Sequence, residues 1–276
     1  MTIKIEPVFN EPVLVVENKM RSLVIADIHL GIEWDLYTSG FFIPSHMQKG
    51  LDRILEHIGS IKPDRIILLG DVKHNVPQTS WQEKDELPYF LGTLAEYAHV
   101  DILPGNHDAG IEFLLPEGKD VQLHSSRGTV IDSVGYFHGH TWPAPELFEV
   151  EYIIMAHNHP TVRFTDPLGH KVVEPAWVRT RLKKEVLQAH YSSLDLNIGW
   201  KDPMVFIVPS FNELCGGIAF NESLEDDLLG PIFSGGVELD NAEIYLLDGT
   251  KLGLLKHIRK LHGPKNKRKE KGKGHR

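Results

Sequence analysis

The sequence predicts an α/β fold in which a sheet built from βαβ units packs against a second, strand-rich sheet. Three observations predict it. Residues 13–103 alternate short β-branched apolar runs with segments of helical period. After Gly118 short strand-like runs follow one another with little helix between them. The chain of 276 residues is 41% apolar yet holds one cysteine, Cys215, so its core forms without an internal disulfide framework.

Each element has its own signal. Val13–Glu17 (VLVVE) and Ser22–Ala26 (SLVIA) read as strands. Residues 48–60 carry Leu51, Ile54, Leu55 and Ile58 at helical spacing. Arg65–Leu69 (RIILL) reads as a buried strand, entered through Lys62-Pro63-Asp64. A helix is expected from Pro88 to His99, with Pro88 in its first turn, where no intrahelical N–H bond is lost. Val100–Leu103 is the next strand. Further strands are expected at Thr129–Phe137, Tyr152–Ala156, Thr161–Thr165, Val172–Leu182 and Met204–Pro209. A closing hairpin joins Glu243–Leu247 to Lys251–Leu255 through Asp248-Gly249.

No repeat or linker divides this stretch, so residues 1–255 read as one domain and 256–276 as a basic, disordered tail. The net charge of −9 hides that division. Ten Lys or Arg against one acid give the tail +9, which leaves −18 on the first 255 residues. Two readings of the tail stay open, a solvated end or an attraction to nucleic-acid phosphates. It lacks aromatic residues for base stacking. No apolar run approaches the ~20 residues of a membrane helix, and the N-terminus has no signal-peptide core. A cytoplasmic protein without a membrane partner is therefore expected.

Polar residues cluster where the apolar strands end. SLVIA is followed by Asp27-Ile28-His29-Leu30-Gly31, and RIILL by Gly70-Asp71-Val72-Lys73-His74. VDILP leads to Gly105-Asn106-His107-Asp108, VGYF to His138-Gly139-His140, and YIIM to Ala156-His157-Asn158-His159. In open α/β sheets that edge binds ligands. Mixed carboxylates and imidazoles suit Mn²⁺, Fe, Zn²⁺ or Ni²⁺ rather than an all-oxygen cage. Asp27, His29, Asp71, Asn106, His138, His157 and His159 are too many donors for one ion and enough for two. Either His138 or His140 can serve the fourth motif, and His138 is favoured at the strand end. Any one motif alone reads more simply as a turn or a core histidine; five in series do not.

The ordered set D-x-H, G-D, G-N-H-D, H, H-x-H resembles the calcineurin-like metallophosphoesterase superfamily. DIHLG, GDVKH and the later PSFNELCGG are similar to archaeal phosphoesterases related to the SbcD nuclease and to phosphodiesterases associated with bacterial DNA ligases. The resemblance covers about residues 10 to 255. It implies a four-layer αββα arrangement, two mixed sheets flanked by helices. It implies two divalent metal ions, manganese first among them. Asp27, His29 and His159 would hold one, Asn106, His138 and His157 the other, with Asp71 bridging. It implies a phosphodiesterase of nucleic acid or nucleotides, in which a metal-bridging hydroxide attacks, His107 assists the leaving group and Asp108 orients His107. A phosphodiester substrate such as DNA or RNA is the implied partner. A homodimer is also implied, since dimers occur among the related nucleases.

This chain departs from the family pattern at Ala156, where Gly is usual, and at His74, where other branches carry Asp or Asn. From the length of the stretch after His159 no large capping domain is expected, which counts against a double-strand-break-repair role. Two alternatives stay open: a phosphomonoesterase of nucleotides or phosphoproteins, and a nucleic-acid-binding protein with a vestigial site. His74 and His140 stand between supporting and structural roles. The aromatic stretch Glu33–Pro44 reads as a loop, and Cys215 as a small core residue.

Overall fold

Successive residues of each apolar strand enter different cores, and that alternation builds the layers. The computed structural model describes residues 2–223 and 227–262. The first sheet has strands β1 (Lys4–Pro7), β2 (Val13–Glu17), β3 (Arg21–Ile25), β4 (Arg65–Leu68), β5 (His99–Ile102) and β6 (Val121–Leu123), adjacent in that order. Pairing is antiparallel from β1 to β3 and parallel from β3 to β6. The helices between them are α1 (Ile32–Thr38), α2 (Met47–Ile61) and α3 (Trp81–Leu94). Leu23, Ile25, Ile66 and Leu68 pack with Leu51, Ile54, Leu87 and Phe90 of α2 and α3. Their neighbours Val24, Ile67 and Leu69 face the other way, toward Tyr136, Ile154 and Trp177.

Those last three belong to the second sheet. Its strands are β7 (Thr129–Ile131), β8 (Val134–Tyr136), β9 (Tyr152–Met155), β10 (Pro160–Thr165), β11 (Lys171–Arg181), β12 (Met204–Ile207), β13 (Ile218–Ala219), β14 (Glu243–Leu246) and β15 (Lys251–Leu254). The order is β13-β10-β11-β12-β9-β8-β7, with β14 on β11 and β15 on β14. Ile153 and Met155 face outward into a third core closed by α4 (Lys184–Ser192) and α5 (Leu255–His262). Helix, sheet, sheet, helix is the expected four-layer αββα arrangement. No helix among the described residues is long and apolar enough to cross a membrane.

Four expectations are corrected. The helix expected over Pro88–His99 runs from Trp81 to Leu94, with Pro88 inside it. A capping box starts it: Ser80 Oγ accepts the Glu83 N–H, and the Glu83 carboxylate accepts the Ser80 N–H. The strand expected over Thr129–Phe137 is a hairpin, turned at Asp132 and Ser133, whose φ angles are 46° and 69°. The stretch read as a loop from Glu33 opens with α1. The tail expected from residue 256 begins as α5, where Leu255 and Ile258 are buried in the third core. The folded unit therefore extends past residue 255. Residues 263–276 of the expected tail lie outside the described residues.

Candidate metal centre

The parallel strands β3, β4 and β5 end side by side, and β8 and β9 end beside them in the second sheet. The five polar motifs leave the strands at that edge. Backbone bonds stitch them together: Asp27 N–H donates to Gly70 O (3.1 Å), His29 N–H to Asp71 O (2.8 Å) and Ala156 N–H to His138 O (2.9 Å). The stitching holds an uncommon conformation. Asp27, His29, Asp71, His157 and His159 have φ of 53°, 47°, 47°, 76° and 41°. A left-handed non-glycine residue costs about 1–3 kcal/mol, and such strain concentrates at functional sites.

Two glycines make the approach possible. A Cβ on Gly70, whose φ is +78°, would lie 2.3 Å from the His138 ring. A Cβ on Gly105 would lie 2.1 Å from Asp71 Oδ1. The G-D and G-N-H-D motifs thus need glycine because a ligand side chain occupies the space of its missing side chain.

The ligand atoms of Asp27, His29, Asp71 and His159 lie within 4.8 Å of one another, as do those of Asp71, His138 and His157. Asp71 belongs to both sets. His138 Nε2 is 2.9 Å from Asp27 Oδ1 and 3.6 Å from Asp71 Oδ2. His159 Nε2 is 3.3 Å from Asp27 Oδ1. Asn106 is exposed and lines the same cleft of about 300 Å³, with His29, Asp71, His107, His157 and His159. All seven residues expected as ligands meet here. His138 is fully buried within the second set, whereas His140 belongs to neither set and lies behind it, its Nδ1 3.2 Å from His138 Nδ1 and its ring edge-on to that of His157.

The donor set fits a bound cation. Asp27 Oδ2, His29 Nε2 and His159 Nε2 are buried and have no hydrogen-bond partner, a costly state that an ion relieves. Burial of Asp27 favours its neutral form, but the charge of His159 and a hydrogen bond with His138 hold it well below the usual carboxylate range. Burial opposes charge on His159 too, yet Asp27 raises it to about 9. Burial pushes His29 down, and burial with the neighbouring His138 brings His157 to about 3, which leaves these rings neutral donors at pH 7.

One expected role is corrected. Asp108 does not touch the His107 ring. Its Oδ1 accepts the Lys73 N–H (3.0 Å) and its Oδ2 the Gly105 N–H (2.8 Å). Burial, reinforced by the charge of Asp71, raises Asp108 to about 6. His107 is oriented from elsewhere: its Nδ1 donates to the carbonyl oxygen of His74, and its N–H to Asp71 Oδ1 (2.8 Å). That fixes the tautomer and leaves Nε2 free. His74 also meets His29, Nδ1 to Nδ1, at 3.1 Å.

Three contributors were not legible as such. Glu83 is fully buried, and its carboxylate accepts the N–H groups of His74 (2.9 Å), Asn75 (2.7 Å) and Ser80 (2.6 Å), fixing the turn after the second motif. Its signal was the Ser-x-x-Glu spacing. Asn158 exchanges two amide hydrogen bonds with Leu229, of 2.9 and 2.7 Å. Cys215, read as a core residue, lies beside His29 and His159, and burial pushes its thiol up to about 12.

The family profile of the calcineurin-like phosphoesterases matches residues 20–202. Among solved structures, the chain is similar to the nuclease MPE of Pseudomonas putida, with TM-score 0.49 and 16% identity over 91% of this chain and 100% of that one. It is also similar to YfcE, a phosphoesterase from E. coli, with TM-score 0.39 and 15% identity over 84% and 96%. No curated protein matches the chain.

Proposed function

The chain belongs to the calcineurin-like phosphoesterase family and is a metal-dependent phosphoesterase, and on that premise we propose that it is a two-metal phosphodiesterase acting on nucleic acid or nucleotides. The carrying observation is that Asp71 belongs to two ligand sets at once. Asp27, His29 and His159 would hold one ion, and Asn106, His138 and His157 the other, with Asp71 between them. Manganese is the proposed ion on the family resemblance; the mixed imidazole and carboxylate donors accept it as they accept iron, zinc or nickel.

Bound cations supply charge to phosphate oxygens and lower the pKa of a water molecule that attacks phosphorus. The chain's own groups do the rest. Asn106 and His107 stand on the open side of the cleft, where a phosphate ester enters. In its doubly protonated form, with Nδ1–H bonded to His74 O, the His107 ring carries its second proton on Nε2 and would hand that proton to the departing alkoxide, leaving the neutral Nδ1–H tautomer. Asp108 holds the backbone that carries His107 rather than the ring itself.

Room on two sides of the site favours a diester. The metal cleft shares His159, Gly216 and Gly217 with a second cleft of about 360 Å³, lined also by Arg53 and Thr161. One ester group can leave past His107 while the other extends toward that second cleft. The test is turnover of a generic aryl phosphodiester and of the matching monoester with added Mn²⁺. Diester hydrolysis exceeding monoester hydrolysis is expected. Protein that binds two ions and hydrolyses neither would refute the reading. A panel of single- and double-stranded DNA, RNA and cyclic nucleotides then assigns the substrate.

A further inference from the structure

The segment after β12 was legible only as the motif PSFNELCGG, and the proposed mechanism uses only its Gly216 and Gly217, as cleft lining. The fold clamps it onto the metal centre. Phe211 N–H donates to Ala26 O (2.9 Å), Ser210 Oγ to Asp27 O (3.0 Å) and Asn212 Nδ2 to Ile28 O (2.8 Å). The segment therefore runs along the backbone that presents Asp27 and His29. An Asn-centred turn follows, in which Leu214 N–H donates to Asn212 Oδ1 (2.9 Å) and Cys215 N–H to Asn212 O (3.2 Å). The next residues grip His159: its Nδ1 donates to Gly216 O at 2.9 Å, and a Cβ on Gly217 would lie 2.4 Å from His159 O.

This path fixes where Cys215 stands. The ligand atoms of His29, His159 and Cys215 lie within 4.8 Å of one another. An ion about 2.0–2.3 Å from nitrogen and sulfur donors keeps those donors within roughly 4.5 Å of each other, so donors no more than 4.8 Å apart reach one shared ion by closing a few tenths of an ångström at most. An independent observation points to the same place. Asp27 Oδ2 and His29 Nε2 are unpartnered on side chains at least nine-tenths buried, and His159 Nε2 is unpartnered beside them.

We propose that Cys215 is a sulfur donor at the first metal position, beside His29 and His159, and that it biases that position toward thiophilic ions such as zinc and cadmium. The inference rests on the reading of Asp27, His29 and His159 as ligands of one ion. On binding, the S–H bond breaks, its proton passes to solvent, and the sulfur lone pair forms the bond to the ion. The second set, Asp71, His138 and His157 with Asn106, offers only nitrogen and oxygen. The two positions then differ in chemistry: one accepts soft ions, the other harder ones. A thiolate beside two imidazoles and a carboxylate makes the first position the one that retains its ion more tightly.

The experiment uses the full chain, stripped of metal and titrated with Cd²⁺, with the ultraviolet sulfur-to-cadmium charge-transfer band as readout. The band is expected to grow with the first equivalent and then stop. Cys215→Ser should lose the band and bind cadmium about tenfold or more weakly, while manganese, a harder ion that gains less from sulfur, is weakened less and still binds. Retained manganese binding shows that the variant is folded, and if it does not fold, the wild-type spectrum alone decides. Wild-type protein that binds two cadmium ions without the band would overturn the role of Cys215 and leave the metal reading standing. Protein that binds neither cadmium nor manganese would overturn both.

Discussion

Asp108 accepts the backbone N–H of Lys73 at 3.0 Å, across two motifs that are 35 residues apart in sequence. Its other oxygen accepts the Gly105 N–H, so one buried carboxylate joins the turn that carries Asp71 to the turn that carries His107. An Asn at this position keeps one acceptor oxygen and turns an amino group toward the second N–H. Asp108→Asn should therefore destabilise the fold by about 1–3 kcal/mol, the cost of one unsatisfied buried donor. A denaturant melt of the metal-free chain checks it. A stability equal to wild type would show that the clamp is not needed.

His107 is expected to behave in the opposite way. Its ring lies in the cleft and its Nδ1 is anchored on a backbone carbonyl, so removing the ring leaves no buried side-chain donor unpaired. His107→Asn should lower kcat by about 10²–10⁴, the usual contribution of general acid–base catalysis, with metal content and melting temperature near wild type. Metal analysis alongside kinetics separates the roles. Loss of metal in this variant would make His107 a ligand instead.

Asp71 and His157 should differ in how many ions they cost. Asp71 belongs to both ligand sets and His157 to one. Asp71→Asn should empty both positions, and His157→Asn should leave one ion bound. Counting ions per chain by mass spectrometry after equilibration with Mn²⁺ distinguishes the two. Equal losses from both variants would argue against a bridging carboxylate.

Much of this site was legible because ligand identity follows strand ends, and strand ends are marked by local apolar runs. VLVVE, SLVIA, RIILL and YIIM name their own sheet positions, and Asp27, Asp71 and His157 follow directly. What stayed hidden depends on contacts between distant segments. The partner of the His107 ring is a carbonyl 33 residues away, which no spacing rule supplies, and the adjacent Asp108 was the natural guess. The hairpin at Asp132-Ser133 was hidden because its turn lacks glycine and its strands are only three residues each. The start of α3 was misplaced because Pro88 was placed in the first turn, whereas the Ser80–Glu83 capping box sets the boundary a turn or two earlier. The neighbours of Cys215 stayed hidden because a lone cysteine carries no local signal of what folds against it.

The acid limb of stability should be set in part by Glu243 on β14. Lys251 lies 2.6 Å from Glu243 Oε1. Arg179 meets Oε2 from β11, and the Tyr245 hydroxyl donates to Oε2 at 3.1 Å. The hydrogen bond from Lys251 is the largest influence. Against a smaller opposing effect of burial, and with help from Arg179 and Tyr245, it lowers the carboxyl from its ordinary 4.5 to about 2. A group whose pKa is lower folded than unfolded binds its proton more readily in the unfolded chain. Its stabilisation is therefore complete above about pH 4.5 and is lost as pH falls toward about 2. Glu243→Gln has no charge to lose. It should be less stable than wild type at pH 7, and the difference should shrink steadily between pH 5 and pH 2 as the wild-type carboxylate takes up its proton. Melting curves of both proteins across that range, at one ionic strength, give the comparison. A gap that stays constant down to pH 2 would mean that the Lys251 and Arg179 pairs contribute nothing to the folded state.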